Sequence, residues 1–190
     1  MERIKLGFAI CGSFCTFSKI LEQIKILSEK KYDITPVFSE FAYNTDTRFY
    51  NSEAFVKEVE KICNNKSIKS INEAEPIGPQ KLFDIIAVAP CTGNTLGKLA
   101  AGITDTAVTM AVKAHLRNSR PVVLGISTND ALGASAQNIG RLMNVRNIYF
   151  IPFKQDDSLN KPRSIVSDFS KTDAAIRSAL NGEQLQPIII

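Results

Sequence analysis

The sequence predicts an α/β, doubly wound parallel sheet in a single three-layer domain spanning residues 1–190. Three observations predict it. Short apolar runs (IKLGFAI, DIIAVA, PVVLGI) have no polar alternation, as strands buried on both faces require. Stretches of helical periodicity separate them, and parallel neighbours need such crossovers. Small polar residues follow each run directly, where open α/β sheets place their ligands.

The elements follow in order. Ile4 to Ile10 reads as the first strand, Cys11-Gly12-Ser13 as a tight turn, and Phe17, Ile20, Leu21, Ile24 and Leu27 as the buried stripe of a helix. Ile34 to Phe38 is a second strand, and Phe55, Val56, Val59 and Ile62 mark a second helix. Residues 64–83 contain Pro76 and Pro79 in NEAEPIGP and read as a loop that covers a site or meets a partner. Asp84 to Ala89 and Pro121 to Ile126 are further strands, with helical patterns over Thr95 to Ala101 and Ala107 to Leu116 between them. Gly133 to Leu142 is helical and Asn147 to Ile151 a strand. A last helix is expected from about Arg163 to Leu180, with Ile165, Phe169, Ile176 and Leu180 on one stripe.

Composition narrows the function. With 190 residues, 44% hydrophobic and 22% charged, the chain is long enough for one core without staples. The 23 basic residues against 19 acidic ones form no run, so nucleic-acid binding gains no support. Cys11, Cys15, Cys63 and Cys91 match no zinc spacing and only one histidine is present, so no metal site is expected and the cysteines read as reduced thiols. The N-terminus lacks the pattern of a secretory signal and no run approaches bilayer-spanning length, which predicts a cytoplasmic protein without membrane contact.

The strand ends carry the chemistry. Cys11-Gly12-Ser13, Ser39-Glu40, Pro90 to Thr95 and Ser127 to Asp130 offer hydroxyls, amides and helix-start N–H groups to one crevice, a pattern suited to phosphate. Read singly, Ser13, Thr92 and Asn94 are helix caps. No P-loop and no G-x-G-x-x-G occurs, although Glu40 leaves a ribose contact open. His115 reads as a solvated or end-of-helix imidazole and Asp105-Thr106 as an N-cap pair. Asp130, at a strand end, and Cys91, whose thiol beside a helix N-terminus would have a lowered pKa, are the candidate bases, with simple packing the other reading for Cys91.

These residues resemble a known family. GFAICGSFCTF is similar to the Gly-Ser turn of flavoproteins of the cysteine-decarboxylase and flavin-prenyltransferase type, and PCTGNTLGKLAAGITDT to their P-A-S-A-N-T segment. The resemblance implies a Rossmann-like flavoprotein fold, homo-oligomeric assembly and FMN held by Gly12, Ser13, Ser39, Cys91, Thr92, Asn94, Thr95, Ser127, Thr128 and Asn129. The chain departs from the decarboxylases in having no histidine between Ser39 and Leu82, and in reading STNDAL at 127–132 where they carry a P-x-M-N-x-x-M clamp. The strings at 39–49, 73–82, 89–118 and 127–157 are most similar to one branch of the family. That branch implies one half of a two-component oxidoreductase in the mother cell of a spore-forming bacterium. It would act on a small dihydropyridine dicarboxylate, together with a dinucleotide-fold partner, the A component, that could carry NAD(P). An FMN-dependent decarboxylase and a non-catalytic protein that stabilises the A component are the alternatives.

Overall fold

The computed structural model describes residues 3–30 and 32–190. β1 (Ile4–Ile10) leads through a 3-10 turn at Phe14–Thr16 into α1 (Phe17–Glu29), and β2 (Tyr32–Phe38) into the short α2 (Glu40–Asn44) and then α3 (Ser52–Cys63). After α4 (Ile71–Ala74) come β3 (Ile85–Cys91), α5 (Gly93–Ala101), α6 (Ala107–Leu116) and β4 (Val122–Thr128). The chain ends with α7 (Ala136–Met143), β5 (Ile148–Phe150), β6 (Phe153–Asp157), β7 (Lys161–Ser167) and α8 (Thr172–Leu180).

The strands run in the order β2-β1-β3-β4-β7-β6, with β5 paired to the first half of β4. β1, β2, β3, β4 and β5 are mutually parallel; β7 runs antiparallel to β4 and to β6. Every residue of β3 is buried, which is why its sequence lacks alternation. On one face Leu6, Phe8 and Ile10 meet α1, α3 and α8 through Phe17, Ile20, Phe55 and Ile176. The rings of Phe17 and Phe55 stack there with centroids 4.2 Å apart. On the other face Val88, Cys91, Leu124 and Ile126 meet Leu96, Val108, Val112 and Leu142 of α5, α6 and α7. This is the expected three-layer α/β arrangement.

Two expectations are corrected. The stretch from Arg163 to Ser167 is the end of β7, so the last helix begins only at Thr172. Asp157 folds the chain back by accepting from the N–H groups of Leu159 and Asn160, and the resulting hairpin satisfies its backbone against β4. Apolar spacing alone read Ile165 as helical because both periods place an apolar residue there. Within 64–83, Ile68 exchanges backbone hydrogen bonds with Pro36 and Phe38, and Ser70 and Glu73 form a capping box on α4, so much of that segment is ordered secondary structure.

Candidate functional site

Register assembles the site. Ile10 pairs with Phe38 and Cys91 with Ile126, so β1, β2, β3 and β4 all finish at one level and the turns after them converge. Each turn is set locally. Thr92 caps α5 by accepting from the Thr95 N–H, and the Ser13 carbonyl accepts from the backbone N–H and the hydroxyl of Thr16. Gly93 is required by close approach: a Cβ there would lie 2.7 Å from Thr128 Oγ1 and 2.8 Å from Asp130 Oδ1 and from Ser135 Oγ.

The result is a cleft of about 490 Å3 between the loop after β1, the start of α5, the end of β4 and the β6-β7 hairpin. Of the residues expected, Gly12, Ser13, Thr92, Ser127, Thr128, Asn129 and Asp130 line it. Ser13 Oγ and Ser127 Oγ are hydrogen-bonded at 2.8 Å, and Asn129 Oδ1 accepts from Ser164 at 3.3 Å. Asp130 Oδ1 accepts from the hydroxyls of Thr128 and Ser135, and its backbone carbonyl accepts from the N–H groups of Gly133 and Ser135. Asp130 thus both lines the cleft and pins the loop after β4.

The remaining expected residues lie elsewhere. Asn94 is exposed one residue into α5, outside the cleft lining. Ser39 caps nothing with its side chain, and its hydroxyl is buried beside the end of β1 without a hydrogen-bond partner among the described residues. Thr95 turns inward, its hydroxyl donating to Cys11 Sγ at 3.3 Å.

For Cys91 the packing reading holds and the candidate base is corrected. It is fully buried in the core, and desolvation, reinforced by the neighbouring Cys11, pushes its thiol well above the ordinary range. Cys11 rises to about 11 for the same first reason, opposed by hydrogen bonds from Thr95 and Thr92. Burial wins over the helix N-terminus, and Cys91 is a protonated packing residue at neutral pH. For His115 the end-of-helix reading holds and the solvated one is corrected. It occupies the last turn of α6 fully buried, with neither ring nitrogen hydrogen-bonded among the described residues. Desolvation and the charge of Arg120 pull it down to about 4, against smaller opposing effects of the Pro121 backbone and Asp84. Thr106 caps α6 as expected, whereas Asp105 binds Lys98 at 2.8 Å.

Sequence reasoning missed the other wall. Cys15 and Thr16 come from the 3-10 turn before α1 and Lys19 from its first turn, and Asp156, Lys161 and Ser164 from the β6-β7 hairpin. Lys161 is held by Asp156 at 3.1 Å, which raises its pKa. The signal available was the polar run QDDSLNK between Phe153 and Ile165, a turn between two strands.

The family model named Flavoprotein matches residues 1–175. The chain belongs to the flavoprotein family. Among its relatives, the dipicolinate synthase B subunit of Bacillus subtilis (strain 168) is 45% identical over 186 residues, covering 98% of this chain and 93% of that protein. The crystal structure of the dipicolinate synthase B subunit from Bacillus halodurans superposes with a TM-score of 0.91 at 42% identity, covering 100% of this chain and 97% of that one. The FMN-dependent cysteine decarboxylase SpaF gives 0.67 at 20% identity over 95% of this chain and 97% of its own, a likeness of fold. The resemblance read from the strand-end motifs is thus established at the level of family and of its dipicolinate synthase branch. Among the described residues, no helix is long and apolar enough to cross a membrane.

Proposed function

We propose that this flavoprotein-family chain is the FMN-binding component of a two-component oxidoreductase. In this reading it acts with the A component of dipicolinate synthase, in the cytoplasm of the sporulating mother cell, to oxidise a dihydrodipicolinate-type intermediate to dipicolinate. The observation that carries the reading is the convergence of Gly12-Ser13, Thr92 and Ser127-Thr128 on one cleft. The donor set supports the fit: hydroxyls of Ser13, Thr92, Ser127 and Thr128 gather beside the N-terminus of α5, as an anionic cofactor requires. FMN, when bound, supplies a two-electron acceptor.

The protein's own residues then bind and orient. Ser13, Thr92, Ser127 and Thr128 give hydroxyl donors, and the start of α5 adds the partial positive charge of a helix N-terminus. Asn94 and Ser39 extend this donor set at the edges. Lys19 and Lys161 at the wall attract a dicarboxylate dianion. Asp130 is the base that receives a ring proton. NAD(P) on the A component is the onward acceptor in this scheme, and a homo-oligomer belongs to the same reading.

One observation favours a second reading. Ser13 and Ser127 satisfy each other and Asp130 is engaged by two hydroxyls, as in a cleft kept for stability alone, which suits a non-catalytic partner of the A component. The test is the absorbance spectrum of the purified chain after incubation with FMN and removal of the excess, with and without the A component. Retained flavin bands are expected; their absence under both conditions selects the second reading.

A further inference from the structure

A second concave surface lies away from the strand-end cleft. Leu99, Val112, Leu116 and Leu142 of α5, α6 and α7, with Ile103 and Val145 from the turns that follow α5 and α7, line a groove of about 370 Å3. Its apolar walls reach solvent, with Ile103 46% and Val145 42% exposed, and Met143 beside it 42% exposed. Isolated exposed apolar residues are ordinary, but several gathered around one groove mark a contact surface.

Charge specifies the partner. Among the described residues, the two charged side chains lining the groove are both cations, Lys113 and Arg117, and the exposed Arg141 and Arg146 adjoin Leu142 and Val145 in sequence. Residues 96–147, which include most of α5 and all of α6 and α7, hold six basic and two acidic side chains, a surplus equal to the +4 of the whole chain. Of the two acids, Asp105 is bound by Lys98 and Asp130 lies in the strand-end cleft. The surplus arises because acidic residues are sparse in this stretch, and with Lys98 paired to Asp105 and Arg120 beside Asp84, it is Lys113, Arg117, Arg141 and Arg146 that carry the positive charge around the groove.

We infer that the α5-α6-α7 groove docks a segment of the A component whose apolar side chains fill it and whose flanking Asp or Glu residues meet Lys113 and Arg117. This rests on the partner named in the proposed function and adds where that partner binds. A recessed apolar slot with a cationic rim suits an amphipathic segment, which buries one face and presents the other. Two copies of this chain meeting face to face through the groove would oppose like charges, and among the described residues no aromatic side chain lines it for stacking a base.

The test is sedimentation velocity and a binding titration of the FMN-treated chain with the purified A component, comparing wild type, the double variant Lys113→Glu/Arg117→Glu, and Val145→Asp. These positions are solvent-exposed, and far-UV circular dichroism checks that each variant folds. At least tenfold weaker binding of the A component by both variants is expected, with the wild-type affinity falling as salt is raised. Wild-type affinity in the charge-reversal variant overturns the inference. So does a change in the oligomeric state of that variant alone, which would assign the groove to a second copy. If the wild-type chain forms no complex with the A component, the partner in the proposed function fails first and the docking assignment falls with it.

Discussion

Ser13 Oγ, in the turn after β1, and Ser127 Oγ, in β4, lie 2.8 Å apart although 114 residues separate them, and the two strands are not neighbours. β3 lies between β1 and β4, so this hydrogen bond straddles the sheet edge where Cys91 and Thr92 end the central strand. The pair lines the cleft and offers two hydroxyls in one fixed arrangement. A neutral hydrogen bond of this kind contributes on the order of 1 kcal/mol net. Ser127→Ala should therefore lower stability by about that much and raise the FMN dissociation constant roughly tenfold, about 1.4 kcal/mol. Flavin fluorescence titration and urea melts measure both. Ser13→Ala should behave alike, and the double variant should cost less than the sum of the two because they share one bond.

Asn94→Asp separates fold from ligand. A carboxylate in the first turn of α5 is favoured by the helix dipole, so thermal stability should hold or rise slightly. The same charge beside a phosphate-bearing cofactor should weaken FMN binding. Undiminished affinity would remove Asn94 from the binding set.

Asp130→Asn keeps an amide oxygen that accepts from Thr128 and Ser135 but cannot take a proton. With the A component present, kcat for dihydropyridine oxidation should fall at least about 100-fold, within the usual range for loss of a general base, while flavin binding stays near wild type. Equal turnover would show that the carboxylate serves the loop alone.

Thiol reactivity should follow burial. Cys15 is exposed at the cleft wall, whereas Cys11, Cys63 and Cys91 are buried, and burial raises the pKa of all three. A disulfide reagent at neutral pH should titrate one fast thiol in the native chain and all of them after denaturation; Cys15→Ser should abolish the fast phase. Rapid modification of Cys91 would contradict its place in the core.

His115 sets a pH dependence of stability. Its folded pKa of about 4 lies below the ordinary 6.5, so the imidazole is neutral in both states above pH 6.5 and contributes no dependence there. Between 6.5 and 4 the unfolded chain takes the proton first, and stability falls by up to about 1.4 kcal/mol per pH unit. From pH 7 to pH 5 the loss from this one group is about 2 kcal/mol. His115→Leu should remove that portion, read as a smaller drop in urea midpoint than wild type over the same interval.

Much of the fold was legible in the sequence because burial on two faces leaves a distinct pattern. IKLGFAI, DIIAVA and PVVLGI contain no polar alternation, and each became a strand of the parallel core. The strand-end turns were legible for the same reason, since small polar residues after such runs mark where the chain leaves the core. The β6-β7 hairpin was not, because its apolar residues fit a helical stripe as well as an extended one until β4 supplied the backbone partners.

Local pattern and the alternation of strands with helices along the chain were enough to establish the fold class, the family resemblance and the set of turns that meet at one end of the sheet. Which side chains of those turns face the cleft and which face the core was decided by packing in three dimensions. Ser13 and Ser127 met across β3, Cys91 and Thr95 turned inward, and a histidine read as solvated became fully buried. The physical reason is that orientation and desolvation depend on neighbours distant in the chain, and desolvation can outweigh every local signal that a residue carries.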